Sequence, residues 1–210
     1  MKEFQSTNQS SDILRQVDDF FMNTGPVQQT LRNIANRLAH TNIDYVVIGG
    51  MALALHGLIR PTQDVDLLFT IDGLKEFQET FVGRGYVPQF PGALKHFRDT
   101  ETGVKVEIIT TGEYPGDGQP KSIAFPDPVD VSVTLEGFSV VRLESLIELK
   151  LASGMSAKHR ELRDLADVQQ LIETLGLPED FSRNLDDTVR AEYQRLWELA
   201  QLTKRDDNSE

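Results

Sequence analysis

The sequence predicts an α/β (α+β) fold, a sheet flanked by helices with further helices at both ends of the chain. Three observations carry this. Tyr45-Val46-Val47-Ile48 is an apolar, mostly β-branched run that suits a buried strand, and Gly49-Gly50 lets the backbone turn sharply into a short helix. After a loop, Asp64-Val65-Asp66-Leu67-Leu68-Phe69 reads as a second strand whose side chains alternate between faces, so Asp64 and Asp66 point one way and Val65 and Leu67 the other. On both sides of this unit, apolar residues recur at helical spacing.

Taken in order, residues 1–10 are polar, and Ile13, Val17, Phe20 and Phe21 mark an amphipathic helix ending near Asn23-Thr24-Gly25. Pro26 opens a second helix with an apolar stripe at Val27, Leu31, Ile34, Ala35 and Leu38, and the two helices are expected to cover the sheet. A helix over 72–83 turns Leu74, Phe77 and Phe81 inward; residues 94–99 and 104–110 read as a hairpin about Thr102-Gly103. Residues 112–130 hold four of the nine prolines and three glycines, so they form an irregular loop, either an ordinary crossing or a substrate-facing lid. A second hairpin over 131–141 turns at Glu136-Gly137. Helices then span 142–154, 157–175 and the segment from Pro178, where Leu185, Val189, Tyr193, Leu196, Trp197 and Ala200 form the stripe. The expected division is one domain over 1–141 and a helical region over 142–210 packed on it.

The chain has 210 residues and no cysteine, which excludes a disulfide framework, a thiol nucleophile and a thiolate metal site. No stretch approaches the roughly 20 apolar residues of a membrane span, and the polar start lacks the apolar core of a signal peptide, so a cytoplasmic location without membrane contact is expected. A net charge of −12 argues against a general nucleic-acid binder while leaving room for a local basic groove. No phosphate-loop, dinucleotide-turn or His-Glu-x-x-His pattern is present.

Two carboxylates held side by side repel each other unless a cation or proton relieves them, and oxygen ligands suit Mg²⁺. Glu107, set between apolar Val106 and Ile108 on its own strand, offers a third. The glycine turn leaves a helix start free for a phosphate. Lys150 lies at i+7 on the inward stripe of Leu143, Leu146 and Ile147; it either snorkels to water or carries an ammonium to phosphates or to the carboxylates. Arg160, Asp164 and Asp167 share a helix face, which alone reads as a solvated ridge. His56 reads as packed, while His96 and His159 read as exposed; Lys158-His159-Arg160 offers a small phosphate-binding patch.

In order and spacing, Gly49-Gly50, Asp64-Val65-Asp66 and Glu107 resemble the nucleotidyltransferase superfamily that shares its catalytic domain with DNA polymerase beta. Arg60-Pro61-Thr62-Gln63-Asp64-Val65-Asp66, with Glu148-Leu149-Lys150-Leu151-Ala152 and Arg163-Asp164-Leu165-Ala166-Asp167-Val168, is similar to the small bacterial branch of AbiEii-type toxins and minimal nucleotidyltransferases. The resemblance spans roughly residues 40–175. It implies a nucleotidyltransferase-like mixed sheet flanked by helices with a C-terminal helical extension, the catalytic domain being residues 1–141. It also implies a metal-dependent transfer of a nucleoside monophosphate from a nucleoside triphosphate to a hydroxyl on a small molecule, RNA or protein. Asp64, Asp66 and Glu107 would bind two Mg²⁺ ions, or Mn²⁺. Gly49, Gly50, Arg60 and Thr62 would attend the phosphates, and Lys150 and Asp167 would join the active site. The alternatives are a toxin gated by an antitoxin partner and a non-catalytic nucleotide- or partner-binding scaffold.

Overall fold

Pro26 fixes the first turn of helix α1, Pro26–Leu38, which buries Leu31, Ile34 and Leu38 but leaves Ala35 half-buried. The computed structural model describes residues 25–207, so the helix expected before Gly25 lies outside the described residues. Strand β1, Tyr45–Ile48, runs directly into the short helix α2, Gly49–Leu55, and strand β2 follows at Asp64–Phe69. Helix α3, Ile71–Phe81, is capped by the Thr70 hydroxyl, which accepts from the Gly73 amide at 3.0 Å. Strands β3, Tyr86–Pro88, β4, His96–Asp99, and β5, Lys105–Thr110, come next. Residues 111–127 are irregular. A single turn, α4, Pro128–Val131, leads to the hairpin of β6, Ser132–Leu135, and β7, Phe138–Val141. Helices α5, Leu143–Ser156, and α6, Lys158–Leu175, a 3₁₀ stretch Glu179–Asn184, and α7, Asp187–Asp207, complete the chain.

The strands form one seven-stranded mixed sheet in the order β3-β4-β5-β2-β1-β7-β6. β2 is antiparallel to β1 and parallel to β5, which places it near the middle, flanked on both sides. Val65, Leu67, Leu68 and Phe69 of β2 are wholly buried, while Asp64 and Asp66 are half-buried on the face that the alternation assigns them. Phe77 of α3 anchors the opposite layer, its ring centroid 5.2–5.7 Å from those of Phe69, Phe81, Tyr86 and Phe97. Such aromatic contacts add about 0.5–1.5 kcal/mol each beyond area burial.

α5 and α6 pack on one another and α7 packs on α6, with Leu185, Val189, Tyr193, Leu196 and Ala200 buried and the Trp197 indole donating to the Leu177 carbonyl at 3.0 Å. Among the described residues no helix is long and apolar enough to cross a membrane. Two elements depart from the sequence reading. β3 pairs with β4 where no strand was expected, and Val131 ends α4 instead of beginning the second hairpin, because Pro128 and the capping Asp127 favour a helical turn there.

Candidate active site

The parallel register of β2 and β5 sets Asp66 directly opposite Glu107, with Ile48 opposite Asp66 on the other side. Asp64 lies opposite Lys105 and accepts a hydrogen bond from the Thr62 hydroxyl at 2.8 Å. The glycine pair acts first on these residues. Gly49 has φ +63°, a left-handed conformation, and a Cβ there would run into Asp66 Oδ2. A Cβ on Gly50 would lie 2.6 Å from Thr62 Oγ1. Two absent methyl groups thus let β2 and the residues before it close against the start of α2.

This packing has an electrostatic consequence. Burial, then repulsion from Asp64 and Glu107, raises the Asp66 pKa to about 7, although Lys150 and Arg160 pull the other way. A second charged cluster lies close by and is balanced. Lys150 Nζ contacts Asp164 Oδ1 at 2.8 Å and Asp167 Oδ2 at 2.6 Å, while Ser153 donates to Asp164 Oδ2 at 2.6 Å. Arg60 Nη2 donates to Asp167 Oδ2 at 3.0 Å, and its Nε sits 2.8 Å from Oδ1 without the alignment of a hydrogen bond. Two cations match two buried aspartates, so this cluster leaves little charge to relieve Asp64, Asp66 and Glu107.

Among the described residues, no three His, Cys, Asp or Glu side chains close into a metal cage by themselves. An open arrangement is what a Mg²⁺ site on substrate phosphates requires, since that ion takes one or two carboxylates and leaves its other positions to phosphates and water. The excess negative charge around Asp66 and the oxygen-only donor set fit such an ion.

Asp66, Glu107 and Gly49 border a cavity of about 240 Å³ that Lys150, Arg160 and Asp164 also line. Its far wall is the irregular segment after β5, which contributes Tyr114, Pro115 and Phe125. The loop therefore faces the site and is more than a crossing. It is fastened to α5: Lys121 donates to the Pro115 carbonyl at 2.6 Å and to Ser156 Oγ at 3.2 Å, and a Cβ on Gly116 would lie 2.8 Å from the Ser153 carbonyl oxygen. Glu113, at its start, is raised by burial but held below the usual carboxylate range overall by bonds from Lys95 and Thr110.

The structure thus brings Gly49, Asp66, Glu107 and Lys150 to the cavity and sets Gly50, Arg60, Thr62, Asp64 and Asp167 behind them as supports. Lys150, with a side chain 11% exposed, does not snorkel to water; it ends between two carboxylates. Asp164 and Asp167 are buried, so the helix face read as a solvated ridge is internal where they lie, and only Arg160 at its start is exposed. His56 holds α2 to β7 through a 2.8 Å contact with the Val141 carbonyl oxygen. His96 is partly covered and lies 3.9 Å from Glu107, a cross-strand neighbour that only the hairpin register reveals. Ser153, Tyr114 and Glu113 carried no sequence signal beyond their positions on an apolar helix and in a proline-rich loop.

A family model described as uncharacterised nucleotidyltransferase matches residues 7–204. No curated protein matches the chain. Among solved structures, one from Thermotoga maritima assigned as a nucleotidyltransferase is 23% identical with a TM-score of 0.50, covering 66% of this chain and 91% of its own. An antigenic nucleotidyltransferase-like protein from Paracoccidioides brasiliensis is 20% identical with a TM-score of 0.54, covering 88% of this chain and 90% of its own. At these identities the two structures speak to the fold.

Proposed function

The chain belongs to the family described as uncharacterised nucleotidyltransferase, and from that premise we propose that it moves a nucleoside monophosphate from a nucleoside triphosphate to a hydroxyl acceptor, with a divalent metal. The observation that carries this reading is the Asp66–Glu107 pair, adjacent across β2 and β5, short of positive charge and pressed against Gly49 at a cavity. The acceptor oxygen bonds to the α-phosphorus, the bond from that phosphorus to the β-bridging oxygen breaks, and pyrophosphate leaves with the electron pair. Glu107, which lines the cavity with a side chain 41% exposed, would take the proton of the entering hydroxyl. Asp64, Asp66 and Glu107 would hold Mg²⁺ or Mn²⁺, which when bound neutralises the triphosphate and lowers the pKa of the attacking hydroxyl.

The remaining residues act by position. Thr62 fixes the Asp64 carboxylate, Gly49 and Gly50 keep the α2 start close to Asp66 and Thr62, and Arg60 and Asp167 tie the loop before β2 to α6. The acceptor is a small molecule, an RNA end or a protein hydroxyl. Isothermal titration of the four nucleoside triphosphates, with and without Mg²⁺, on wild type and Asp66→Asn tests the reading. Magnesium-dependent binding that disappears in the variant is expected. Binding indifferent to both the metal and Asp66 would overturn the catalytic reading in favour of a nucleotide-binding scaffold.

A further inference from the structure

Three cations belong to this site, and they are not equivalent. Arg60 and Lys150 are each committed to buried aspartates. Arg160 is exposed in the first turn of α6, lines the cavity together with Gly49, Asp66 and Glu107, and among the described residues its guanidinium makes no hydrogen bond or ion pair. Its charge is nevertheless felt at Asp66. The backbone holds the residue in place, the Arg160 amide donating to the Ala157 carbonyl at 2.8 Å. A planar, permanently charged fork left free beside a carboxylate cluster is suited to phosphate oxygens, which it grips in pairs.

Resting on the nucleotidyltransferase reading, we infer that Arg160 binds the β- and γ-phosphates, the part that leaves as pyrophosphate, so that the first turn of α6 selects triphosphates over monophosphates. Lys150, the cation that the sequence singles out, keeps α5 and α6 together and would touch phosphate less. Arg160 would follow the leaving group.

The experiment compares wild type, Arg160→Ala, Arg160→Lys and Arg163→Ala by isothermal titration in Mg²⁺. The probes are the nucleoside triphosphate that wild type binds best, its monophosphate, and inorganic pyrophosphate. Arg163 is exposed on the same helix and carries the same charge but does not line the cavity, so it reports the general field. In Arg160→Ala, affinity for triphosphate and pyrophosphate is expected to fall about 10- to 100-fold while monophosphate stays within about twofold. Arg160→Lys should lie between, and Arg163→Ala should match wild type. Equal losses for mono- and triphosphate, no loss in Arg160→Ala, or the same loss in Arg163→Ala would each overturn the assignment while leaving the nucleotidyltransferase reading intact. A wild type that binds none of the four triphosphates would overturn that reading, and this inference with it.

Discussion

Two groups of carboxylates lie within one small volume and are treated in opposite ways. Asp164 and Asp167 are buried deeply and each meets an ammonium or guanidinium. Asp64, Asp66 and Glu107 are less buried, and the cavity that Asp66 and Glu107 border offers them one unshared cation, Arg160. Charges that hold a structure together are matched inside the protein. Charges left unmatched require something from outside, and in the reaction proposed above that would be a divalent ion with its phosphates.

The contrast makes the two groups respond oppositely to truncation. The largest effect is expected for Asp167→Ala, which strips Arg60 of its partner and Lys150 of one of two. Removing one member of a buried pair costs about 3–5 kcal/mol, measurable as a fall in the urea midpoint. Gly49→Ala comes next. It forces a methyl into the Asp66 carboxylate at a positive φ, at a cost of about 2–4 kcal/mol, and would spoil nucleotide binding as well.

Asp66→Asn should go the other way. The folded state keeps the Asp66 proton up to about pH 7, whereas an unperturbed aspartate releases it near 3.8, so ionising Asp66 works against folding. Without metal, wild-type stability should decline as pH rises across that window. Asp66→Asn should flatten the decline and at pH 8 raise Tm, by about 2–4 °C for each kcal/mol of ionisation cost it removes in a chain of this size, while abolishing magnesium-dependent binding. A variant that melted lower at pH 8 would erase the distinction between the two clusters. The smallest effect belongs to Arg195→Ala, which breaks an i,i+3 pair with Glu192 on α7 whose arginine is half exposed; thermal melting should register within about 0.5 kcal/mol.

Much of the carboxylate cluster was legible because it obeys local rules. Period-two alternation puts Asp64 and Asp66 on one face of β2, and alternation within residues 104–110 does the same for Glu107. The glycine pair was readable as a turn, but its close approach to Asp66 and Thr62 depends on how α2 folds back, which no spacing records. The balanced cluster was half-legible. Lys150 stood out as a lysine on an apolar stripe, and Asp164 and Asp167 lie three residues apart on one helix face. That this face meets α5 is a tertiary fact, and the ridge reading failed on it. β3 was missed because three residues ending in proline are too short to show alternation, and its stability comes from the buried Tyr86 ring among phenylalanines. The cavity wall was open in the sequence because proline-rich segments have no period, and its place is set by Lys121, Gly116 and Ser156 instead.

Asp66 and Glu107 are carried by β2 and β5, neither of which is an edge strand of the seven. Their backbones are therefore separated by the inter-strand repeat of a sheet, about 4.8 Å. Both strands continue into the buried core, so amide hydrogen exchange at Val65, Leu67, Val106 and Ile108 should be among the slowest in the protein. Adjustments to a ligand must then come from side-chain rotamers, from α5 and α6, and from the wall they hold. The interval between the two acidic strands is a ruler built into the sheet, and substrates must conform to it.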